Sequence, residues 1–87
     1  MKKNPEFILK EIGNEIVLVP FGNKAVNFNG MVTFNETAKF LWENAVGDFN
    51  ENSLALCLIE EYDVDMETAI ITCRDFIRSL GEVGAIE

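Results

Sequence analysis

Histidine is absent from this 87-residue chain. Its absence removes the commonest general base and the commonest metal ligand together. Cysteine is scarce: Cys57 and Cys73 are the two in the chain, spaced for neither a zinc site nor a redox pair. Each lies among apolar residues in a helical pattern, so both read as small buried hydrophobes. A disulfide between two packed helices is the alternative, disfavoured in a reducing compartment. There is no Gly-rich phosphate loop and no metal-spaced cluster, and neither cysteine has a base partner. The chain is therefore expected to be no enzyme and to need no cofactor. Glu60, Glu61, Asp63 and Asp65 gather across a predicted helix end, where capping and solubility explain them better than paired-carboxylate chemistry.

Long hydrophobic runs are missing too. Every apolar run falls far short of the roughly 20 residues that span a bilayer. Met1-Lys2-Lys3-Asn4-Pro5 is followed by too short an apolar stretch, with no small-residue cleavage site, to be a signal peptide. The expectation is a cytoplasmic protein with no membrane partner, folded as one domain over residues 1–87. Basic residues are few, seven against fifteen acidic, for a net charge of −8. The imbalance is uneven: residues 1–35 carry a net +1 and residues 36–87 a net −9. The second part repels polyanions and suits either a plain acidic surface or a basic partner.

What is present is a pattern of short strands followed by helices. Phe7–Ile12 and residues 15–19 are rich in large apolar side chains, and Gly13-Asn14 between them is a hairpin signal, since both residues tolerate positive φ. Pro20 ends the second strand, and Phe21-Gly22-Asn23-Lys24 makes a turn. Residues 26–35 then alternate: Val26, Phe28, Gly30, Val32 and Phe34 form a greasy face, and Asn27, Asn29, Met31, Thr33 and Asn35 a mostly polar one. Gly30 suggests a bulge or a close backbone approach.

Helical spacing takes over at Glu36. Asn35 is placed to cap a first helix with a seam of Ala38, Leu41, Trp42 and Ala45, broken by Gly47-Asp48. Trp42 reads as a core anchor. Asn50 caps a second helix with a seam of Ala55, Leu58, Ile59 and Tyr62, and Leu54 beside it. Asp65 caps a third, whose seam of Met66, Ala69, Ile70, Cys73, Phe76, Ile77 and Leu80 is the clearest in the chain. Gly81 or Gly84 supplies its stop, and Ala85-Ile86 folds back as an apolar tail. The fold class is α+β: a three-stranded antiparallel sheet followed by three helices (β-β-β-α-α-α), winged helix-turn-helix-like around the Asp63-Val64-Asp65 connection.

Several stretches in order resemble the PqqD-like family, relatives of coenzyme PQQ synthesis protein D that are also called RiPP recognition elements. They are Pro5-Glu6-Phe7-Ile8-Leu9, Val17-Leu18-Val19-Pro20, Phe28-Asn29-Gly30-Met31-Val32, Phe34-Asn35-Glu36-Thr37, Leu41-Trp42-Glu43, Glu61-Tyr62-Asp63-Val64-Asp65 and the closing residues 76–86. Where the family often has glycine after N-E-T, this chain has Ala38, a better helix former that alters close packing against strand three. The resemblance implies a small domain that binds the leader segment of a ribosomally made precursor peptide. Such a domain presents the leader to a modifying enzyme, often a radical SAM protein. It also implies that the leader joins the sheet beside strand three, in a cleft shared with the third helix. It does not imply that PQQ is the product.

The residues expected to contact such a peptide are Asn29, Gly30, Met31, Val32 and Thr33 on strand three and Ile71, Arg74 and Arg78 on the third helix. An edge strand offers unpaired N–H and C=O groups to an extended chain, with pockets for alternate side chains. Asn29 and Thr33 keep its polar face wet, Met31 adds an adaptable side chain, and Gly30 lets another backbone come close. Ile71, Arg74 and Arg78 share a face off the core seam, and a guanidinium fork suits a peptide carboxylate. A strand paired on both sides and solvated arginines are the plainer readings. A free strand edge would also accept a second copy, giving a homodimer. A winged helix invites DNA binding, but Asp63, Asp65 and Glu67 sit where a recognition helix would meet phosphates, so no nucleic-acid partner is expected. A generic protein–protein adaptor is the remaining alternative.

Overall fold

The computed structural model describes residues 1–21 and 32–87. Residues 22–31 lie outside the described residues, and with them Asn29, Gly30, Met31, the expected turn after Phe21 and the bulge expected at Gly30. The elements are β1 (Phe7–Ile12), β2 (Glu15–Pro20), β3 (Val32–Phe34), α1 (Glu36–Asn44), α2 (Glu51–Glu61) and α3 (Met66–Glu82). This is the α+β order read from the sequence.

β1 and β2 pair antiparallel from Phe7↔Pro20 to Ile12↔Glu15. Gly13 turns the corner at φ +61°, and no non-glycine residue among those described has positive φ. Only the first turn residue uses the left-handed region, the pattern of a type II′ turn, so the tolerance of Asn14 is not needed. Pro20 is the last residue of β2 rather than a stop beyond it, and the ladder carries on through Phe21 N–H donating to Glu6 O at 2.8 Å. β3 pairs antiparallel with β2 through Ile16↔Phe34, Val17↔Thr33 and Leu18↔Val32. The order is β1-β2-β3, with β2 central. Alternation sends Ile16, Leu18 and Phe34 into the core, with Leu9 and Val32 packed against it. Val17 and Thr33 project from the other face.

Each helix begins on a side-chain cap. Asn35 Oδ1 accepts from Ala38 N–H at 2.8 Å. Asn50 Oδ1 accepts from Ser53 N–H at 2.9 Å while Asn50 N–H donates to Ser53 Oγ at 3.0 Å, a reciprocal capping box. Asp65 Oδ1 accepts from Thr68 N–H at 2.8 Å. That bond holds the Asp65 carboxyl below the usual aspartate range. α3 ends in a Schellman motif. Ala85 N–H reaches Leu80 O at 2.9 Å, Gly84 N–H reaches Gly81 O at 3.2 Å, and Gly84 takes φ +81°. Of the two glycines expected to stop the helix, Gly84 does so.

One core cluster joins sheet and helices, built on Phe7, Leu18, Phe34, Leu41, Trp42, Leu54, Leu58, Cys73, Phe76 and Leu80 among others. Ala85 and Ile86 are buried in it, as the expected apolar tail. The tail is held by pairing with the first residues: Lys2 N–H to Glu87 O at 3.0 Å, Glu87 N–H to Lys2 O at 2.8 Å and Asn4 N–H to Ala85 O at 2.8 Å. Asn4 is buried (3% exposed) and satisfied, donating Nδ2 to Gly84 O at 2.9 Å and accepting Glu6 N–H at 2.9 Å. Two seam residues depart from expectation. Met66, the first residue of α3, and Tyr62, just past the end of α2, are exposed, because each sits at a helix terminus beyond the reach of the packed partner. The Tyr62 ring instead stands edge-on to Phe40 at 5.5 Å. Both cysteines are free thiols, Cys73 buried and Cys57 half-buried. Burial, with Cys57 and Glu51 nearby, pushes the Cys73 thiol up to about 11.

Two glycines predict opposite stability effects. At Gly13 a Cβ meets nothing within 4 Å, so Gly13→Ala carries the left-handed backbone penalty alone and should destabilise by about 1 kcal/mol in denaturant titration. Gly81 is helical with equally open surroundings, so Gly81→Ala should stabilise by about 0.5 kcal/mol. Acid should also act through Asp65. Its folded carboxyl titrates below the unfolded value, so its contribution is present above the unfolded aspartate pKa and is lost as pH falls through the folded one. Thermal melts from pH 6 down to about pH 2 should fall less steeply below pH 4 for Asp65→Asn than for the parent.

Candidate functional site

β3 is the outermost strand, and among the described residues its border away from β2 carries no further strand. Three residues hold it in place. Phe34 is buried, with its ring 6.2 Å from Trp42 of α1 in an edge-on contact and 6.1 Å from Phe76 of α3. Val32 packs against the same core. Asn35 follows at once and caps α1, so no loop separates strand from helix. β3 is thereby clamped on its inner side, and its outer border faces α3.

Between that border and α3 runs a groove of about 330 Å³. Phe34, Leu41, Phe76 and Leu80 give it an apolar floor, and all four are buried. Thr37, Thr72 and Ser79 bring hydroxyl-bearing residues to its more exposed parts and Asp75 a carboxylate, while Thr33 borders it from the strand. A second hollow of about 290 Å³ shares Asn35, Thr37 and Thr72 with the groove and continues past the start of α1 to Leu58, Tyr62 and Val64. An apolar floor beside an open strand border suits an extended chain, whose backbone the strand can pair and whose alternate side chains point into the groove.

Of the residues singled out in the sequence, Val32 and Thr33 line this groove. Asn29, Gly30 and Met31 lie outside the described residues. Ile71, Arg74 and Arg78 do not line it. Ile71 is 51% exposed. Arg74 turns toward α2, where its Nε donates to Glu51 Oε1 at 2.9 Å, and that carboxylate raises the guanidinium pKa further. Arg78 Nη2 donates to Asp75 Oδ1 at 3.0 Å, so it meets the groove only through the carboxylate beside it. The stripe of α3 that lines the groove is Thr72, Asp75, Phe76 and Ser79, spaced i, i+3, i+4 and i+7. At about 100° per residue this stripe flanks the core seam on one side, and Arg74 lies across the helix from it. The sequence signal was a row of small polar residues next to the seam. Nothing in the sequence alone said which flank of the seam the sheet would adjoin.

The geometry agrees with what this chain is similar to. The family model described as coenzyme PQQ synthesis protein D (PqqD) matches residues 9–86. No curated protein matches the sequence. Among solved structures, TbiB1 in complex with the TbiA(beta) leader peptide is similar in fold. The TM-score is 0.78 at 21% identity, covering 100% of this chain and 95% of that one. No helix among the described residues is long and apolar enough to cross a membrane.

Truncating the ring that clamps β3 should loosen strand and groove together. Phe34→Ala is expected to cost about 3–5 kcal/mol in chemical denaturation and to speed exchange of the β3 amides bonded to β2 more than of those in β1. Uniform protection across the sheet in that variant would show that β3 is held without the ring.

Proposed function

The chain belongs to the coenzyme PQQ synthesis protein D (PqqD) family, and on that premise we propose that it binds the leader segment of a ribosomally made precursor peptide and presents it to a modifying enzyme. The observation that carries this reading is the border of β3 that no other described strand covers, beside the groove against α3. A peptide strand laid along that border gains backbone hydrogen bonds from β3, and its alternate side chains enter an apolar groove, which is recognition by strand addition. The fold neighbour TbiB1 was itself determined with a leader peptide, which supports the same reading here.

In this proposal Val32 and Thr33 supply the strand contact and Thr72, Asp75, Phe76 and Ser79 the helix side. Asn29, Gly30 and Met31 are kept as strand contacts on the sequence pattern alone. Ile71 and Arg74 are given no part in the groove, and Arg78 acts through Asp75. The domain presents the peptide and does no chemistry of its own. That reading rests on a sequence without histidine and on a Cys73 thiol held protonated by burial. The partner enzyme we propose is of the radical SAM class, on the strength of the family. The border would equally accept a second copy of this chain, so a homodimer through it and the peptide complex would exclude one another.

Titrating a synthetic nine-residue peptide of threonines with a central leucine into 15N-labelled protein should move the amides of Val32, Thr33, Thr72 and Phe76. Ser79→Trp, which fills the groove from an exposed position, should weaken binding by about tenfold or more. Arg74→Ala should leave affinity unchanged. Shifts confined to β1, or full affinity in Ser79→Trp, would place the peptide elsewhere.

A further inference from the structure

Among the described residues lining the groove, one is charged: Asp75. Its side chain is 57% exposed and is paired within the same helix to Arg78, itself 65% exposed, at 3.0 Å. An i, i+3 ion pair with water on both partners is weakly held and readily exchanged. A peptide laid in the groove changes that balance. It strips water from the carboxylate, which strengthens the attraction for any cation and the repulsion of any anion placed there. The surroundings add to the preference. Residues 36–87 carry a net −9, and the other arginine of α3, Arg74, is engaged by Glu51 at 2.9 Å on another face.

Building on the strand-addition reading above, we propose that the groove selects basic leaders: a peptide carrying an apolar anchor over Leu41, Phe76 and Leu80 and a lysine or arginine that pairs with Asp75. Along an added strand every second residue faces the groove. The basic residue therefore stands an even number of positions from the anchor, two being the nearest. The incoming cation displaces Arg78 from Asp75, and Arg78 turns to solvent. The chain then reads charge as well as apolar shape, and its acidic helices steer basic leaders toward the groove.

The probes are three synthetic nine-residue peptides with leucine at the centre, threonine elsewhere, and either lysine, glutamine or glutamate at both positions two residues from the leucine. Amide shifts at Val32, Thr33, Thr72 and Phe76 report whether the groove is filled, and titration gives affinities. The expected result at low ionic strength is binding of the lysine peptide about tenfold tighter than the glutamate peptide, the joint effect of one attraction and one repulsion of partly exposed charges. That preference should shrink with salt, fall severalfold in Asp75→Asn to the part that the surrounding acidity supplies, and widen in Arg78→Gln. Equal affinities for the three peptides, a glutamate preference, or a lysine preference undiminished in Asp75→Asn would overturn the charge selection while leaving the groove as the binding place. Should none of the three move those amides, the strand-addition reading falls and the charge selection with it.

Discussion

Phe34 is where the sheet, the first helix and the last helix meet, and the rest of the arrangement depends on its burial. Its ring touches Trp42 on one side and Phe76 on the other. A buried aromatic side chain is among the largest single apolar contributions a small core can make. The residue that follows it, Asn35, is already the cap of α1. With no slack between the buried ring and the helix start, β3 cannot slide toward α3 and close the space beside it. β2 satisfies one border of β3 and leaves the other uncovered among the described residues.

An open strand border is ordinarily a hazard, since it invites any extended chain to pair with it. Here it lies over a floor of Phe34, Leu41, Phe76 and Leu80, with hydroxyls and one carboxylate around it. The backbone groups offer affinity to any peptide, and the groove restricts which side chains fit. Family membership and this geometry both fit the peptide ligand proposed above. The helical half carries a net −9, a charge that disfavours contact with a phosphate backbone.

Much of the fold was legible because its signals are local. Asn35, Asn50 and Asp65 cap their helices as their side chains dictate, each accepting an N–H three residues on. Gly13 makes the hairpin because a positive φ is needed there. The alternation of Val32, Thr33 and Phe34 told inner from outer face. Less visible were contacts between distant segments. Asn4 ties the first residues to the last through Gly84 and Ala85, and no spacing rule points from one end of a chain to the other. Phe49 is buried although it follows a helix break, since only packing decides whether a loop aromatic turns inward.

The candidate site divides along the same line. Sequence alone determined that the third strand has one apolar face, that a helix follows it at once, and that the chain lacks the groups for histidine-based catalysis; periodicity and composition suffice for each. Only the tertiary structure decided which stripe of α3 looks onto the strand. A helix seam identifies the buried face but is silent on its two flanks, and the side on which the sheet docks is set by the clamp of Phe34 between Trp42 and Phe76. That choice put Thr72, Asp75, Phe76 and Ser79 in the groove and turned Arg74 toward Glu51.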